Sequence, residues 1–204
     1  MDPDTVRRVW ADREGEYSPG YYAHYGPNET SRALRETFDR YLTPDASILE
    51  VGCSSGRHLA HLLEHGYTDL TGIEVNEDAF DVMEEAYPQL ASRGTFYLDT
   101  IEAVIEDFAD DAFDAVFAVE TLQHIHPESA WIFDELVRIA EDLLLTVENE
   151  GDDEDRSAKT VTYVSEDIPL YHRDWKQIFT DRGLLEVAAV VGERDTRRTF
   201  RTGG

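Results

Sequence analysis

Glu50, Gly52, Ser54 and Gly56 alternate along one short stretch, Ile48-Leu-Glu-Val-Gly-Cys-Ser-Ser-Gly56, and a lone acid, Glu74, follows about twenty residues later. Small residues from 52 to 56 make a sharp strand-to-helix turn whose backbone is too bare to block a ligand. An amphipathic stretch begins at Arg57, so the free N–H groups of a helix N-terminus open onto that turn. Glu74 falls where the second strand of such a unit ends, a usual place for a carboxylate that accepts bonds from ribose hydroxyls. The chemistry these residues offer is the binding of a nucleotide-like ligand.

Two nucleotide motifs fail here. The dinucleotide fingerprint needs glycine at three positions; read from Gly52, the second and third fall on Ser54 and Arg57. The Gly-Lys-Ser/Thr end of a phosphate-gripping P-loop is absent. Glu50-x-Gly52-x-Ser54-x-Gly56 instead resembles the first motif, E/D-x-G-x-G-x-G, of class I S-adenosylmethionine-dependent methyltransferases, with Ser54 in place of the middle glycine. Further on, Phe113-Asp-Ala-Val-Phe-Ala-Val-Glu-Thr-Leu-Gln-His124-Ile is similar to the F-D-x-V-x-x-x-x-x-L-x-H-I segment of small-molecule members of that class.

The resemblance implies S-adenosylmethionine as cofactor and a role for each loop that follows a strand. The turn from Glu50 through Gly52, Cys53, Ser54 and Gly56 approaches the methionyl part. Glu74, with Val75 and Asn76 beside it, holds the ribose. Asp99, Thr100 and Ile101 receive the adenine, with the acid on its exocyclic amine. Glu120, Gln123 and His124 face the sulfonium and the acceptor. Members that act on exocyclic base nitrogens often carry Asn/Asp-Pro-Pro-Tyr/Phe after the fourth strand, where this chain reads Glu120-Thr-Leu-Gln-His124.

Several of these residues admit a second reading. Asp99 is also a candidate helix N-cap, and Asn76 equally caps a helix starting at Glu77. Cys53 reads as a small residue that fits its turn. His124 is a candidate general base, since histidine titrates near neutrality, or a histidine packed beneath the cofactor. Tyr21, Tyr22 and Tyr25, with Tyr17, form either a lid whose ring faces attract a sulfonium or packing for the N-terminal segment. His58, His61 and His65 share a helical face and His124-x-His126 is a short pair. Spacing alone is a poor metal signal without further donors nearby, so no metal is expected.

The elements that position these residues alternate. Strand-like runs cover 47–52, 69–74, 94–98, 113–120, 142–148, 185–191 and 196–201; helix-like runs cover 56–65, 77–87, 100–108, 128–139 and 173–182. Strands linked by helices imply a parallel sheet with right-handed crossovers. The last two strands are joined by Gly192-Glu-Arg-Asp195 alone and are expected to pair antiparallel. The expected fold is therefore α/β: a seven-stranded, mostly parallel sheet with helices on both faces and a C-terminal antiparallel hairpin. Residues 1–45 form a helical or lid segment ahead of the 46–204 domain, with short helices around Val6–Trp10 and over 30–42. Residues 150–159 read as a solvated insert.

Composition bounds the rest. The 204 residues carry 44 Asp and Glu against 18 Lys and Arg, a formal charge of −26, and only Lys159 and Lys176 are lysine. Such a surface repels itself at low salt, and salt shortens the reach of that repulsion. The composition resembles that of salt-adapted cytoplasmic proteins of halophilic archaea. It argues against nucleic acid as a partner, because that binding neutralises phosphates with cations. The acidic first residues do not read as a signal peptide, and no apolar run reaches the roughly 20 residues of a membrane span. With Cys53 alone, a reducing cytoplasm is the expected location. The expected activity is methyl transfer to a small molecule. The rivals are a protein or RNA methyltransferase, a nicotinamide-dependent reductase, and a non-catalytic S-adenosylmethionine-binding module.

Overall fold

The computed structural model describes residues 2–151, 161–165 and 168–203. Three helices come first: α1 (Pro3–Ala11), α2 (Pro19–Tyr25) and α3 (Glu29–Tyr41). α3 starts on a reciprocal cap. Asn28 Oδ1 accepts from the Ser31 amide at 3.1 Å, and Ser31 Oγ accepts from the Asn28 amide at 3.1 Å, so two N–H groups that lack a helical partner are satisfied. Leu34 and Phe38 are fully buried on its inner face. α2 lies inside the tyrosine-rich stretch, for which the sequence reading gives no helix. Ser18 caps it and Pro19 occupies its first turn, where a missing N–H costs nothing.

The chain divides into two compact units, Trp10–Val104 and Met1–Val9 with Ile105–Gly204. The first contains β1 (Ser47–Val51), α4 (Arg57–Glu64), β2 (Asp69–Glu74), α5 (Asp78–Ala86), α6 (Pro88–Arg93), β3 (Thr95–Leu98) and α7 (Ile101–Val104). β1 and β2 pair in parallel with Val51 opposite Ile73, and β2 and β3 with Glu74 opposite Leu98. This register brings the turn at 52, the acid at 74 and the residue after Leu98 to one edge, as the βαβ reading requires. α6 replaces an expected loop, again with proline in its first turn. The helix expected over 100–108 is shorter: α7 gives way at Ile105–Asp107 to a 3₁₀ turn.

The second unit contains β4 (Phe113–Val119), α8 (Ile132–Ile139), β5 (Ala140–Glu148), β6 (Val161–Ser165), β7 (Ile168–Tyr171), α9 (Trp175–Thr180), β8 (Leu185–Val191) and β9 (Thr196–Arg201). β4 and β5 are parallel, while β9 runs antiparallel to both β5 and β8. Phe133, Trp175, Phe179 and Phe200 are each at most 2% exposed. Their rings meet 5.3–6.2 Å apart: Phe133 sits edge to face with Trp175 and Phe179, a geometry that ring quadrupoles favour, while Trp175 stacks on Phe179 and Phe200 is tilted against it. β6 and β7 form a separate antiparallel pair that the sequence reading passed over. The acidic run at 152–160 lies outside the described residues.

The main sheet has the order β3-β2-β1-β4-β5-β9-β8. It is the seven-stranded, mostly parallel sheet with a C-terminal antiparallel pair that the sequence implies.

Candidate functional site

In the first unit, the turn after β1 carries left-handed backbone at every second residue: Gly52 (φ 71°), Ser54 (φ 50°) and Gly56 (φ 82°). The alternation matches the spacing of small residues in the sequence. Gly56 is doubly constrained, because a Cβ there would meet Leu90 Cδ2 at 2.6 Å and Met83 Cε at 3.0 Å. The amides of Gly52 and Cys53 both donate to the Ile73 carbonyl, at 2.9 and 3.0 Å, which pins the turn to β2. Ser54 holds a conformation that costs a side-chain-bearing residue about 1–2 kcal/mol. Glycine in its place carries a chain-entropy cost of roughly 0.5–1 kcal/mol. Ser54→Gly is therefore expected to raise the unfolding free energy by up to about 1 kcal/mol in a denaturant titration. A loss of stability would show that the hydroxyl has a structural role.

Glu74 organises this edge. Its Oε1 accepts from the amides of Val75 (2.7 Å) and Asn76 (2.9 Å), and its Oε2 accepts from Ser54 (2.8 Å). Burial raises its pKa, and the three amides pull it back down. Three of about four acceptor positions are thus filled, leaving one on Oε2. Asn76 contributes through its backbone alone. Its side chain donates to the carbonyls of Trp10 (3.2 Å) and Arg13 (3.1 Å) and accepts from Asp78 N–H at 3.0 Å. That side chain caps α5 and tethers the N-terminal segment, so it offers nothing to a cofactor.

Glu50 is 1% exposed, and its Oε2 has no hydrogen-bond partner among the described residues. Burial drives its pKa well up; Arg57 opposes this and Glu74 adds to it. Cys53 is buried, and burial with the two nearby carboxylates pushes its thiol well up. Its Sγ fills the space over Gly72, where a Cβ would lie 2.6 Å from the sulfur, so it is packing and not a nucleophile. On the β3 side, Asp99 is exposed and donates its amide to the Glu74 carbonyl at 3.0 Å. Among the described residues its carboxylate accepts only from the Thr100 amide, at 2.7 Å. Thr100, not Asp99, caps the next helix, with Oγ1 accepting from Ala103 N–H at 3.2 Å. Ile101 is half-buried at the start of α7.

The tyrosines sit together on α2: Tyr21 lies 5.4 Å from Tyr22 and 4.9 Å from Tyr25. The Arg57 guanidinium rests 4.6 Å over the Tyr22 ring. Tyr22 is thereby tied to the first residue of α4, immediately after the glycine turn, while Tyr25 is 63% exposed. Arg57 is the residue that the motif reading passed over. It had counted only as a misfit to the dinucleotide fingerprint.

The loop after β4, in the second unit, is held from both sides. Glu148 ends β5 with no solvent exposure. Its Oε1 accepts from the amides of Thr121 (3.2 Å) and Leu122 (3.0 Å), and its Oε2 from Gln123 (3.1 Å). Arg173 takes the carbonyls, donating to Leu122 at 3.1 Å and to Ile125. Burial pushes Glu148 up to about 8 against the pull of those amides, and lowers Arg173 to about 10 against the attraction of Glu148. Neither residue announces itself in the sequence beyond an acid closing an apolar strand.

The side chains on this loop are largely engaged. Gln123 is 2% exposed, and its Oε1 accepts from Asn149 N–H at 2.7 Å. His124 Nδ1 lies 2.8 Å from the Pro169 carbonyl on β7. A carbonyl only accepts, so Nδ1 carries the proton. The other ring nitrogen lies 3.3 Å from Gln123 Nε2. Burial, reinforced by Arg173 and Arg194, lowers the His124 pKa to about 4. That value lies far below the near-neutral range in which a general base is effective. The Glu120 carboxylate pairs with Arg194, between β8 and β9. His126 caps its own turn, Nδ1 accepting from Glu128 N–H at 3.2 Å, so the His124-x-His126 spacing does not form a metal pair.

Comparison with known proteins then decides the class of fold. Residues 48–142 match the family model of a methyltransferase domain. The matched methyltransferase stretch runs from β1 into β5 and so takes in Glu50, the glycine turn, Glu74, Asp99 and the loop after β4. An O-methyltransferase of Pyrenophora dematioidea is 28% identical over 102 residues, 50% of this chain and 38% of that protein. This chain thus spans well under half the length of such curated methyltransferases, as it also does for the O-methyltransferase cnsE of Penicillium expansum, at 41%. Among solved structures, geranyl diphosphate C-methyltransferase of Streptomyces coelicolor A3(2), in complex with Mg2+, geranyl diphosphate and S-adenosyl-L-homocysteine, aligns with TM-score 0.72 at 12% identity, covering 98% of each chain. The 1,6-didemethyltoxoflavin-N1-methyltransferase of Burkholderia thailandensis, with bound 1,6-didemethyltoxoflavin and S-adenosylhomocysteine, aligns with TM-score 0.71 at 13% identity, covering 100% of this chain and 92% of that one. The fold is that of the class I methyltransferases.

Proposed function

We propose that this chain is an S-adenosylmethionine-dependent methyltransferase that acts on a small-molecule acceptor. The observation that carries the reading is the buried Glu50 carboxylate, whose orphaned Oε2 sits at the base of a turn with alternating left-handed backbone. A buried acceptor without a donor is costly, and the ammonium of a methionyl group is a donor that offsets this cost. Glu74 takes the ribose hydroxyls through its remaining Oε2 position, with the Ser54 amide able to give way. Asp99 takes the adenine amine. When bound, the cofactor supplies a methyl group made electrophilic by its sulfonium.

Methyl transfer needs an in-line approach above all. His124 stays neutral and holds the loop to β7. Gln123 holds it to Asn149, and Tyr21 and Tyr22 on α2 are the lid candidates of the first unit. Two of the similar structures, the geranyl diphosphate C-methyltransferase and the 1,6-didemethyltoxoflavin-N1-methyltransferase, hold small-molecule acceptors, which supports an acceptor of that class. Among the described residues no helix is long and apolar enough to cross a membrane. The charge of −26 fits a salt-adapted cytoplasmic protein and a site that does not seek nucleic acid.

Calorimetry in molar KCl tests the cofactor: S-adenosylmethionine and S-adenosylhomocysteine bind and NAD does not. Binding of NAD alone would overturn the reading. A labelled-methyl assay against fractionated cell extract tests the acceptor, with label expected in the small-molecule fraction and label in protein or RNA counting against it. His124→Gln is expected to keep the rate within about tenfold, whereas loss of a true base costs roughly 10²–10⁴-fold.

A further inference from the structure

The C-terminal turn of α4 carries His61 and Glu64, and His65 follows at its C-cap. Residues four apart on a helix face the same way, and the two imidazoles lie 4.2 Å apart, centroid to centroid. One ligand atom from each of the three side chains lies within 4.8 Å of the other two. His58, on the same helix, does not join them, because its Nδ1 is 2.8 Å from Ser31 Oγ in the interior.

Two further observations point to a ligand. His65 Nδ1 lies 2.7 Å from the His61 carbonyl. That nitrogen must carry the proton, which leaves the Nε2 lone pair facing outward. Metal-ligating histidines are oriented in this way by their second nitrogen. His61 is 9% exposed, and its Nε2 is buried without a hydrogen-bond partner among the described residues. The nearby cations on α3 have acids beside them: Arg35 pairs with Asp39, and Arg32 lies 3.9 Å from Glu29.

We propose that His61, Glu64 and His65 form a binding site for a divalent transition-metal ion of the zinc class, with two imidazoles and one carboxylate as ligands. Imidazole donors select zinc, nickel or copper over magnesium and calcium. The site is local to α4 and stands apart from the methyltransferase reading. Its role is to fasten the end of the helix.

The intact chain is titrated with ZnCl2 and, separately, with MgCl2, and its Co2+ form is examined by visible absorption. One Zn2+ binds per chain, and Co2+ gives a ligand-field spectrum with a nitrogen-containing ligand set. Zinc at a hundred times its dissociation constant raises the unfolding midpoint by roughly 5–10 °C. Outer-shell changes already weaken metal sites by roughly 10–100-fold, so His65→Ala, at an exposed position, weakens Zn2+ at least that much. Glu64→Gln weakens it less, and cofactor affinity is unchanged in both. Equal affinity for Mg2+ and Zn2+, or Zn2+ binding unaltered by His65→Ala, would mean diffuse attraction to an acidic surface and would overturn the proposal.

Discussion

Glu74→Ala raises the dissociation constant for S-adenosylhomocysteine by roughly ten- to a hundredfold, a loss of about 1.5–3 kcal/mol for a hydrogen bond to a charged acceptor. The same change strands the amides of Ser54, Val75 and Asn76, all of which the carboxylate now receives. Unfolding free energy therefore falls too, by about 2–3 kcal/mol, since each stranded amide is partly rehydrated. Glu74→Gln separates the two effects. Its remaining carbonyl oxygen still serves the Val75 and Asn76 amides, while the Ser54 amide and the sugar meet an NH2 group. Most of the stability returns and part of the affinity loss remains. Calorimetry on both variants, with denaturation in parallel, makes the comparison. Parent-like affinity in the alanine variant would remove Glu74 from the cofactor site.

Glu148 gives a large expected dependence on pH. Its folded pKa is about 8 against 4.5 for a free glutamate. The folded state therefore holds a proton that the unfolded chain releases, so this group's contribution to stability declines as pH rises from about 4.5 to about 8. At about 1.4 kcal/mol per unit, the decline is on the order of 3–5 kcal/mol. Glu50 and Glu74 also titrate upward, so the difference between Glu148→Gln and the parent is the informative quantity. Near pH 5 the glutamine variant is the less stable one, because its NH2 faces one of three amide donors. Above pH 8 the gap closes or reverses, because the parent then buries a charge. Urea denaturation at several pH values reads this directly, and parallel curves for the two proteins would refute the assignment.

The sheet was legible because its strands are apolar runs with abrupt ends. Ile48 to Val51 stops at Gly52, and Leu70 to Ile73 stops at Glu74; the sequence boundaries of β1, β2, β4, β8 and β9 fall within a residue of the observed ones. The missed helices share one cause. Pro19 and Pro88, of a residue type that breaks helix interiors, each sit in a first turn, where proline is at home. β7 was missed for a related reason, since Pro169 argues against a strand. It is tolerated in a two-stranded pair, and its carbonyl receives His124.

The site was half legible. Spacing picked out the turn at Gly52, Ser54 and Gly56, because a turn between strand and helix leaves a periodic trace in small residues. It did not tell which side chains are already occupied. Asn76, Glu120 and Gln123 have the right place and chemistry, but Trp10 and Arg13, Arg194, and Asn149 respectively claim them. Those partners lie 26 to 74 residues away along the chain, beyond the reach of any local pattern. Glu148 and Arg173 were invisible for the same reason, since their role is to serve backbone groups of another segment.

The two carbonyls gripped by Asn76 give this protein a built-in reporter and a lever. The amide of Asn76 rests on Glu74 while its carboxamide pins the chain at Trp10 and Arg13. A ligand that redraws the bonds of Glu74 therefore alters how firmly the leading segment is moored. Linkage makes the influence mutual: anything that grasps the segment around Trp10 shifts ligand occupancy at Glu74 by the same factor, and the indole can signal both events.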